Sequence, residues 1–128
     1  MTEEYTDDEI RANRKLWEDA IKSGNYKKGR GLLRDISDNY CCLGIACELF
    51  DNGSARFNER TLRWHYGRGN HSALATRKTI KALGLLSNLG GSGSGGKSLS
   101  TINDESDTFD PVLEAIKTGN YYSPLGQS

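Results

Sequence analysis

The stretch that decides the fold runs from Tyr26 to Phe50 and reads YKKGRGLLRDISDNYCCLGIACELF. Its first part is basic and interrupted by glycines, its middle consists of turn-forming residues, and its last part is apolar and contains all three cysteines of the chain. No other stretch combines so much charge with so much apolar character. We therefore expect this stretch to frame both the core and any functional site.

The length and composition predict a single domain over residues 1–128. The chain has 128 residues, of which 35% are hydrophobic, and a mean hydropathy of −0.67. A domain of this size buries roughly 65–70% of the surface that its unfolded chain exposes. No apolar run approaches the roughly 18 residues of a membrane span, and no signal-peptide pattern opens the sequence. Three cysteines, two of them adjacent, make a poor disulfide framework, so we predict a protein of the reducing cytoplasm.

The charges are segregated along the sequence although they sum to zero. Met1 to Asp19 contains seven acidic and three basic residues, whereas Ala20 to Arg34 contains five basic residues and no acid. Arg60 to Ile102 again contains no acid, but seven basic residues and two histidines. The zero sum argues against a protein that coats nucleic acid generically, and the segregation predicts a basic pole that attracts an anionic partner.

Local signals predict an α+β fold with a long N-terminal helix, a short antiparallel β-hairpin or sheet, and two or three further helices. The first helix is predicted over 7–23, because Thr6 and Glu9 can form a capping box in front of an apolar pattern with helical spacing. Gly24 supplies the left-handed residue that commonly ends a helix.

The remaining elements are predicted from turns and spacing. Turn-forming residues at 35–39 predict a β-hairpin over Tyr26 to Cys42. A short buried helix is predicted from Leu43, since apolar residues recur there at i, i+3, i+4 and i+7. Later helices are predicted after a cap at Ser72 and near Phe109.

Residues 90–96 read GGSGSGG, a composition typical of a flexible linker. The regularity of this segment suggests an engineered replacement of a longer loop. Together with Lys97 and Ser98 it also fits the P-loop pattern G-x-x-x-x-G-K-[ST]. A P-loop requires a buried strand before it and a helix that opens at Lys97, and the preceding sequence is not rich in β-forming residues. We interpret the match as a coincidence of linker composition.

The cysteines do not have the spacing of a metal site. Zinc sites use pairs such as C-x₂-C with a second pair of ligands, and neither the cysteines nor His65 and His71 provide this. Buried structural thiols are therefore favoured. The alternative is a reactive Cys42 near the start of a helix, for which the sequence identifies no general base.

The glycine-containing basic run is the stronger candidate for a binding site. Glycines let backbone amides approach an anion closely, and arginines donate paired hydrogen bonds to phosphate. In an extended segment, Lys28, Arg30 and Arg34 would share one face, because side chains alternate between the two faces of a strand. The alternative is a solvated edge strand whose charges prevent aggregation. The predicted ligand contacts of the run are Lys27, Lys28, Arg30 and Arg34.

A second group of candidate contacts follows at 64–71, where aromatic, glycine and basic residues alternate in a way that suits stacking on a nucleobase. The alternative is that these aromatic side chains fill the core or anchor an interface. The predicted ligand contacts here are Trp64, Tyr66 and Arg68.

The segments GNYKKGRGLLR at 24–34 and YCCLGIACEL at 40–49 resemble a family of small proteins common in tailed-bacteriophage genomes, whose signature is GxYxxGxGxL…YCCLGxxCxL. LSTINDESDTFDPVLEAI at 99–116 is similar to the C-terminal pattern of that family. The resemblance covers about half of the chain. Lys28 stands where glutamine is usual, and 90–96 stands where the family has a variable loop.

The resemblance implies an accessory protein that acts in the cytoplasm of the infected bacterial host cell, where it blocks or sequesters a defence component. With the basic pole, this leads to the hypothesis of a non-enzymatic protein, without cofactor or metal, that binds an anionic small molecule such as a nucleotide signal. The alternatives are an inhibitor that binds a host protein through the acidic first helix, a structural or interaction protein without a ligand, and a thiol-dependent enzyme acting through Cys42. Homo-oligomerisation is left open.

Overall fold

The computed structural model of the protein describes residues 5–67, 72–88, 90–93 and 96–125. Five α-helices and two small two-stranded sheets occur within these ranges, which confirms the predicted α+β class. Four helices follow the first one, where the sequence predicts two or three. In chain order the elements are α1 (Asp7–Lys22), β1 (Lys27–Lys28), β2 (Asn39–Tyr40), α2 (Cys42–Phe50), β3 (Arg56–Asn58), β4 (Arg63–His65), α3 (Arg77–Leu83), α4 (Leu99–Asp104) and α5 (Asp110–Thr118). Within the described ranges, no helix is both long enough and apolar enough to cross a membrane.

Helix α1 forms where its local signals predict it. The Thr6 hydroxyl accepts a hydrogen bond from the Glu9 backbone amide, and the Glu9 carboxylate accepts one from the Thr6 amide, which confirms the capping box. Trp17 is fully buried, and its indole N–H donates to the carbonyl of Cys42 at 2.9 Å. Gly24 has a φ of +80° just after the helix, a conformation that favours glycine. The hydrogen bond from Trp17 to Cys42 ties α1 to the start of α2.

Strands β1 and β2 pair in parallel, so the antiparallel hairpin predicted over Tyr26 to Cys42 is wrong in direction. After β1 the chain turns at Gly31, whose φ is +76°, and comes back along β2 at Arg34, which forms an isolated antiparallel bridge with Tyr40. The predicted turn at 35–39 then reverses the chain a second time. Two reversals give β2 the direction of β1, whereas a hairpin has only one.

Strands β3 and β4 form the short antiparallel sheet. Phe57 lies opposite Trp64, and the two rings meet edge to face with their centroids 5.6 Å apart. β3 is exposed along its whole length, whereas Trp64 in β4 is half-buried. The hairpin therefore reaches out from the domain and is anchored through its second strand.

The core is centred on the first two thirds of α2, where every residue from Cys42 to Cys47 is buried. The Cys41 sulfur caps this helix by accepting a hydrogen bond from the Gly44 amide at 3.3 Å. Gly44 lies directly against the backbone of Leu33, and no space is left between them for a side chain. The glycine in YCCLG is therefore required by this close approach of two backbones.

A buried asparagine of α4 joins this helix to the basic run. Asn103 accepts a hydrogen bond from the Cys42 amide at 3.1 Å and donates one to the Gly29 carbonyl at 3.0 Å. The neighbouring Asp104 carboxylate accepts from the Gly31 amide at 2.9 Å. The C-terminal half of the chain thus holds the shape of the glycine-containing loop.

Helix α3 begins later than predicted. The predicted cap was Ser72, but it is the Thr76 hydroxyl that accepts a hydrogen bond from the Thr79 amide and caps the helix. Gly84, with a φ of +64°, ends α3. α5 occupies the last predicted helix and has Pro111 in its first turn.

The segment 90–96 lies partly outside the described residues, since 94 and 95 are not included. The Gly91 amide donates to the Ser87 hydroxyl at 2.8 Å, and the Gly93 amide donates to the Asn120 carbonyl at 2.7 Å. The first half of the segment is thus bonded to its surroundings, and the flexible linker over 90–96 stays a prediction.

The P-loop pattern lacks the structural context of a phosphate-binding loop. α4 begins at Leu99 rather than at Lys97, and the Ser98 hydroxyl caps it by accepting from the Thr101 amide. The Lys97 ammonium pairs with the Glu105 carboxylate at 2.6 Å. No strand immediately precedes the pattern among the residues that are described.

Candidate functional site

A cleft of about 420 Å³ opens beside β1, at the start of the basic run. One wall of the cleft is formed by the segment that links α1 to β1, and the other wall is formed by the turn that precedes β2. The residues that line it are Asn25, Tyr26, Lys27, Ser37, Asp38 and Tyr40. Of the predicted ligand contacts, Lys27 lies in this cleft.

The two walls are held together by backbone pairing and by two tyrosine rings. Lys27 lies opposite Asn39 in the parallel pair, and the rings of Tyr26 and Tyr40 meet edge to face with centroids 5.1 Å apart. The carboxylate of Asp35 accepts hydrogen bonds from the amides of Ser37 and Asn39, both at 2.9 Å. The turn that forms the second wall is therefore ordered from within.

Lys27 is the available cation of the cleft. Its side chain is exposed, and no carboxylate lies within ion-pair distance of it in the described part of the chain. An exposed ammonium with no internal partner can bind an anion from solution without breaking an existing ion pair. This property distinguishes Lys27 from both arginines of the basic run.

Arg34 lies deeper and is held by aromatic rings and carboxylates. Its guanidinium carbon is 3.8 Å from the centroid of the Trp64 ring and 5.4 Å from that of Tyr40. Its Nε donates to Asp38 Oδ1 at 2.8 Å, and its Nη1 lies 3.8 Å from Glu48 Oε1. Burial alone would lower the pKa of Arg34, but the hydrogen bonds and negative charges around it reverse the effect, and the net pKa is raised. Arg34 therefore stays charged.

Tyr66 belongs to the core and not to a ligand face. Its ring is fully buried, and its hydroxyl donates to Glu48 Oε1 at 2.9 Å. Burial raises the pKa of Tyr66, and the hydrogen bond with Glu48 raises it further. Tyr66 therefore fills the core, which is the alternative given for these aromatic side chains in the sequence. Trp64 is half-buried and stacks on Arg34. Arg68 lies outside the described residues.

Arg30 and Lys28 face a different part of the molecule from Arg34. Arg30 donates to the carbonyls of Asp104 and Ser106, both at 2.9 Å, and pairs with Asp107 at 2.7 Å. Arg30 therefore caps the end of α4. Burial, with the charge of Arg30 next in size, lowers the pKa of Lys28. The single face predicted for Lys28, Arg30 and Arg34 is wrong, because the chain is not extended beyond Gly29.

The three thiols are buried, as favoured by the sequence. Burial raises the pKa of Cys41 to about 12 and that of Cys47 to about 11, and it raises the pKa of Cys42 well above the usual value. A protonated, buried thiol is a poor nucleophile. The described residues contain no group of three or more His, Cys, Asp or Glu side chains arranged to hold a metal ion.

These thiols lead us to expect that the protein loses stability in alkali. A thiol whose pKa is higher in the folded than in the unfolded state favours folding fully below its unfolded value of 9.0. As the pH rises above that value the unfolded chain releases its protons first, so the free energy of unfolding falls between about pH 9 and pH 12. Urea denaturation at pH 8 and at pH 10 measures this, and a midpoint that is equal or higher at pH 10 would contradict it.

Several residues of the cleft were not predicted as site residues. Asn25, Tyr26 and Tyr40 were predicted only as parts of a loop or a strand, and Ser37 and Asp38 only as parts of a turn. Each of the five is an ordinary residue for its local structure, so the sequence carries no separate signal for it. What brings them together is the parallel pairing of β1 with β2.

The chain belongs to the family described as Domain of unknown function (DUF8296), whose model matches residues 8–80, more than half of the 128 residues. The matched range contains the cleft, Arg34 and all of α2. No curated protein and no solved structure matches the chain.

Proposed function

We propose that this protein is a non-enzymatic binding protein that holds an anionic small molecule of the nucleotide class in the cleft beside β1. The observation that supports it best is Lys27, an exposed cation that lines the cleft together with Tyr26 and Tyr40 and has no ion-pair partner among the described residues. Nucleotides combine an anionic phosphate with a flat base, and the cleft offers an ammonium and aromatic surface within one space.

Each wall of the cleft has a part in this proposal. The Lys27 ammonium pairs with phosphate, and the half-buried ring of Tyr26 presents the surface on which a base stacks. The Asn25 amide and the Ser37 hydroxyl line the same space and supply hydrogen-bonding groups for the sugar or the base. A volume of about 420 Å³ lies within the range of small-molecule sites, which is roughly 300–1,000 Å³.

The setting of this activity is proposed from the resemblance to tailed-bacteriophage proteins. A small phage protein that binds a nucleotide signal tightly and does not convert it lowers the free concentration of that signal in the infected bacterial cell. Sequestration needs no nucleophile, and the buried, protonated state of Cys41, Cys42 and Cys47 agrees with a protein that performs no thiol chemistry.

We expect Lys27→Glu to weaken nucleotide binding by at least tenfold. The substitution replaces an attraction by a repulsion in a partly enclosed cleft, and a factor of ten corresponds to about 1.4 kcal/mol. Isothermal titration calorimetry against nucleoside mono- and diphosphates and cyclic mono- and dinucleotides first identifies a ligand of the wild type. The same ligand is then titrated into the variant.

Lys117→Glu is the matched control, since Lys117 is also an exposed lysine but lies in the last turn of α5, outside the cleft. It introduces the same change in net charge and should alter affinity by less than about twofold. The proposal fails if the folded wild type binds no nucleotide of the panel, or if both variants lose the same affinity.

A further inference from the structure

We infer that the Asp38 carboxylate occupies the position on Arg34 that an anionic group of the ligand takes when the ligand binds. The ligand therefore carries at least two anionic groups, one that binds Lys27 and one that binds Arg34. This inference rests on the proposed function and deepens it. It selects nucleoside diphosphates, dinucleotides and similar molecules over those with a single phosphate.

Asp38 connects the cleft to the buried arginine. It lines the cleft beside Lys27, and its Oδ1 lies 2.8 Å from Arg34 Nε. Arg34 itself is not among the residues that line the cleft. An anion that enters the cleft therefore reaches Arg34 by taking the position of the Asp38 carboxylate.

The two partners of this ion pair are held very differently. The side chain of Asp38 is 59% exposed, whereas that of Arg34 is 17% exposed. The guanidinium is packed on the Trp64 ring at 3.8 Å and lies near the Glu48 carboxylate, so contacts other than Asp38 also hold its position. When the pair opens, the carboxylate turns into solvent and leaves an arginine that is already oriented.

Replacement of the Asp38 carboxylate by a phosphate group on Arg34 is favourable. The pair opens most easily from the Asp38 side, because that carboxylate is 59% exposed and water can take over its hydrogen bonds. A phosphate group brings more negative charge and more acceptor oxygens than a carboxylate, and guanidinium groups bind it with paired hydrogen bonds. Asp38 also repels any anion bound at Lys27, which is a reason for the carboxylate to leave when a dianionic ligand enters.

Asp38→Asn tests the inference without disturbing the turn. The residue has a φ of +61°, a left-handed conformation that asparagine tolerates at least as well as aspartate. We expect the variant to bind inorganic pyrophosphate about threefold to tenfold more tightly than the wild type does, because the competing carboxylate is gone. Orthophosphate, which can satisfy one site at a time, should gain less than pyrophosphate. The indole N–H signal of Trp64 in NMR titrations reports on the arginine that stacks upon it.

Asp19→Asn is the matched control, because it removes the same charge from an exposed ion pair, with Lys15 on α1, and should leave both affinities unchanged. The inference is overturned if Asp38→Asn binds pyrophosphate no more tightly than the wild type, including the case in which neither binds it. Its failure is separate from that of the proposed function: a nucleotide that binds in a Lys27-dependent way, with no gain from Asp38→Asn, leaves the proposed function standing.

Discussion

Gly44→Ala should abolish stable folding or reduce the free energy of unfolding by at least about 3 kcal/mol. A Cβ at this position would overlap the carbonyl oxygen of Leu33 and lie 2.5 Å from its carbonyl carbon and 2.9 Å from its Cα. All three atoms are backbone, so no side-chain rotation can relieve the overlap. In an ordinary helix position the same substitution would stabilise by about 1 kcal/mol, and the predicted effect therefore has the opposite sign.

The backbone of Leu33 cannot move aside cheaply. Its amide donates to the Ser72 carbonyl at 2.8 Å, and its carbonyl accepts from the Cys41 amide at 3.3 Å. A shift of this segment would break the connection between the basic run and the start of α2. Separation of α2 from the segment would instead expose the most buried part of the core.

Gly53→Ala provides the matched control for this experiment. A Cβ at Gly53 would meet no atom within 4 Å, so we expect a change within about 0.5 kcal/mol. Urea denaturation followed by circular dichroism compares the two variants with the wild type. A Gly44→Ala protein as stable as Gly53→Ala would show that the close approach of the two backbones is not a feature of the fold.

Asn103→Ala is expected to cost about 2–4 kcal/mol, the second largest effect. Asn103 is fully buried, and its side chain binds the Cys42 amide and the Gly29 carbonyl at once. Alanine would leave the Cys42 amide without a partner and the Gly29 carbonyl with only the hydrogen bond from Lys28 Nζ at 3.3 Å, and it would create a small cavity. Because total stabilities are about 5–15 kcal/mol, the loss is a substantial part of the whole.

Ser100→Ala, in the same helix, is the control. Ser100 is half-buried and makes no side-chain hydrogen bond in the described structure, so its substitution should change stability by no more than about 0.5 kcal/mol. Thermal unfolding of both variants is the measurement. If Asn103→Ala unfolds at the temperature of Ser100→Ala, the three-way connection through Asn103 does not contribute to stability.

The start and end of α1 and the position of α2 could be predicted from the sequence because their causes are local. The capping box joins residues three apart, and Gly24 lies two residues beyond the end of α1. The apolar spacing after Leu43 repeats within one helix. Of the three thiols, only Cys47 lies on this spacing; the burial of Cys41 and Cys42 arises because the start of α2 is enclosed on all sides in the core.

The direction of β2 and the use of each arginine depended on partners far along the chain. Arg30 is separated by 74 residues from the carbonyl of Asp104 that it caps, and nothing near Arg30 in the sequence indicates this partner. Asn103 shapes the glycine-containing loop from a similar distance along the chain. An extended strand was therefore the natural prediction, and the loop observed depends on contacts that form only when α4 packs against it.

At the candidate site, the sequence by itself determined which residues are cations, and the tertiary structure decided which of these cations is available to bind a ligand. The basic run identified Lys27 and Arg34 as cations, because charge is a property of single residues. Whether a cation is available depends on the groups that surround it in the fold: Lys27 has no ion-pair partner among the described residues, Arg30 caps α4, and Arg34 lies behind Asp38. These differences arise from hydrogen bonds and ring contacts between segments that only folding brings together.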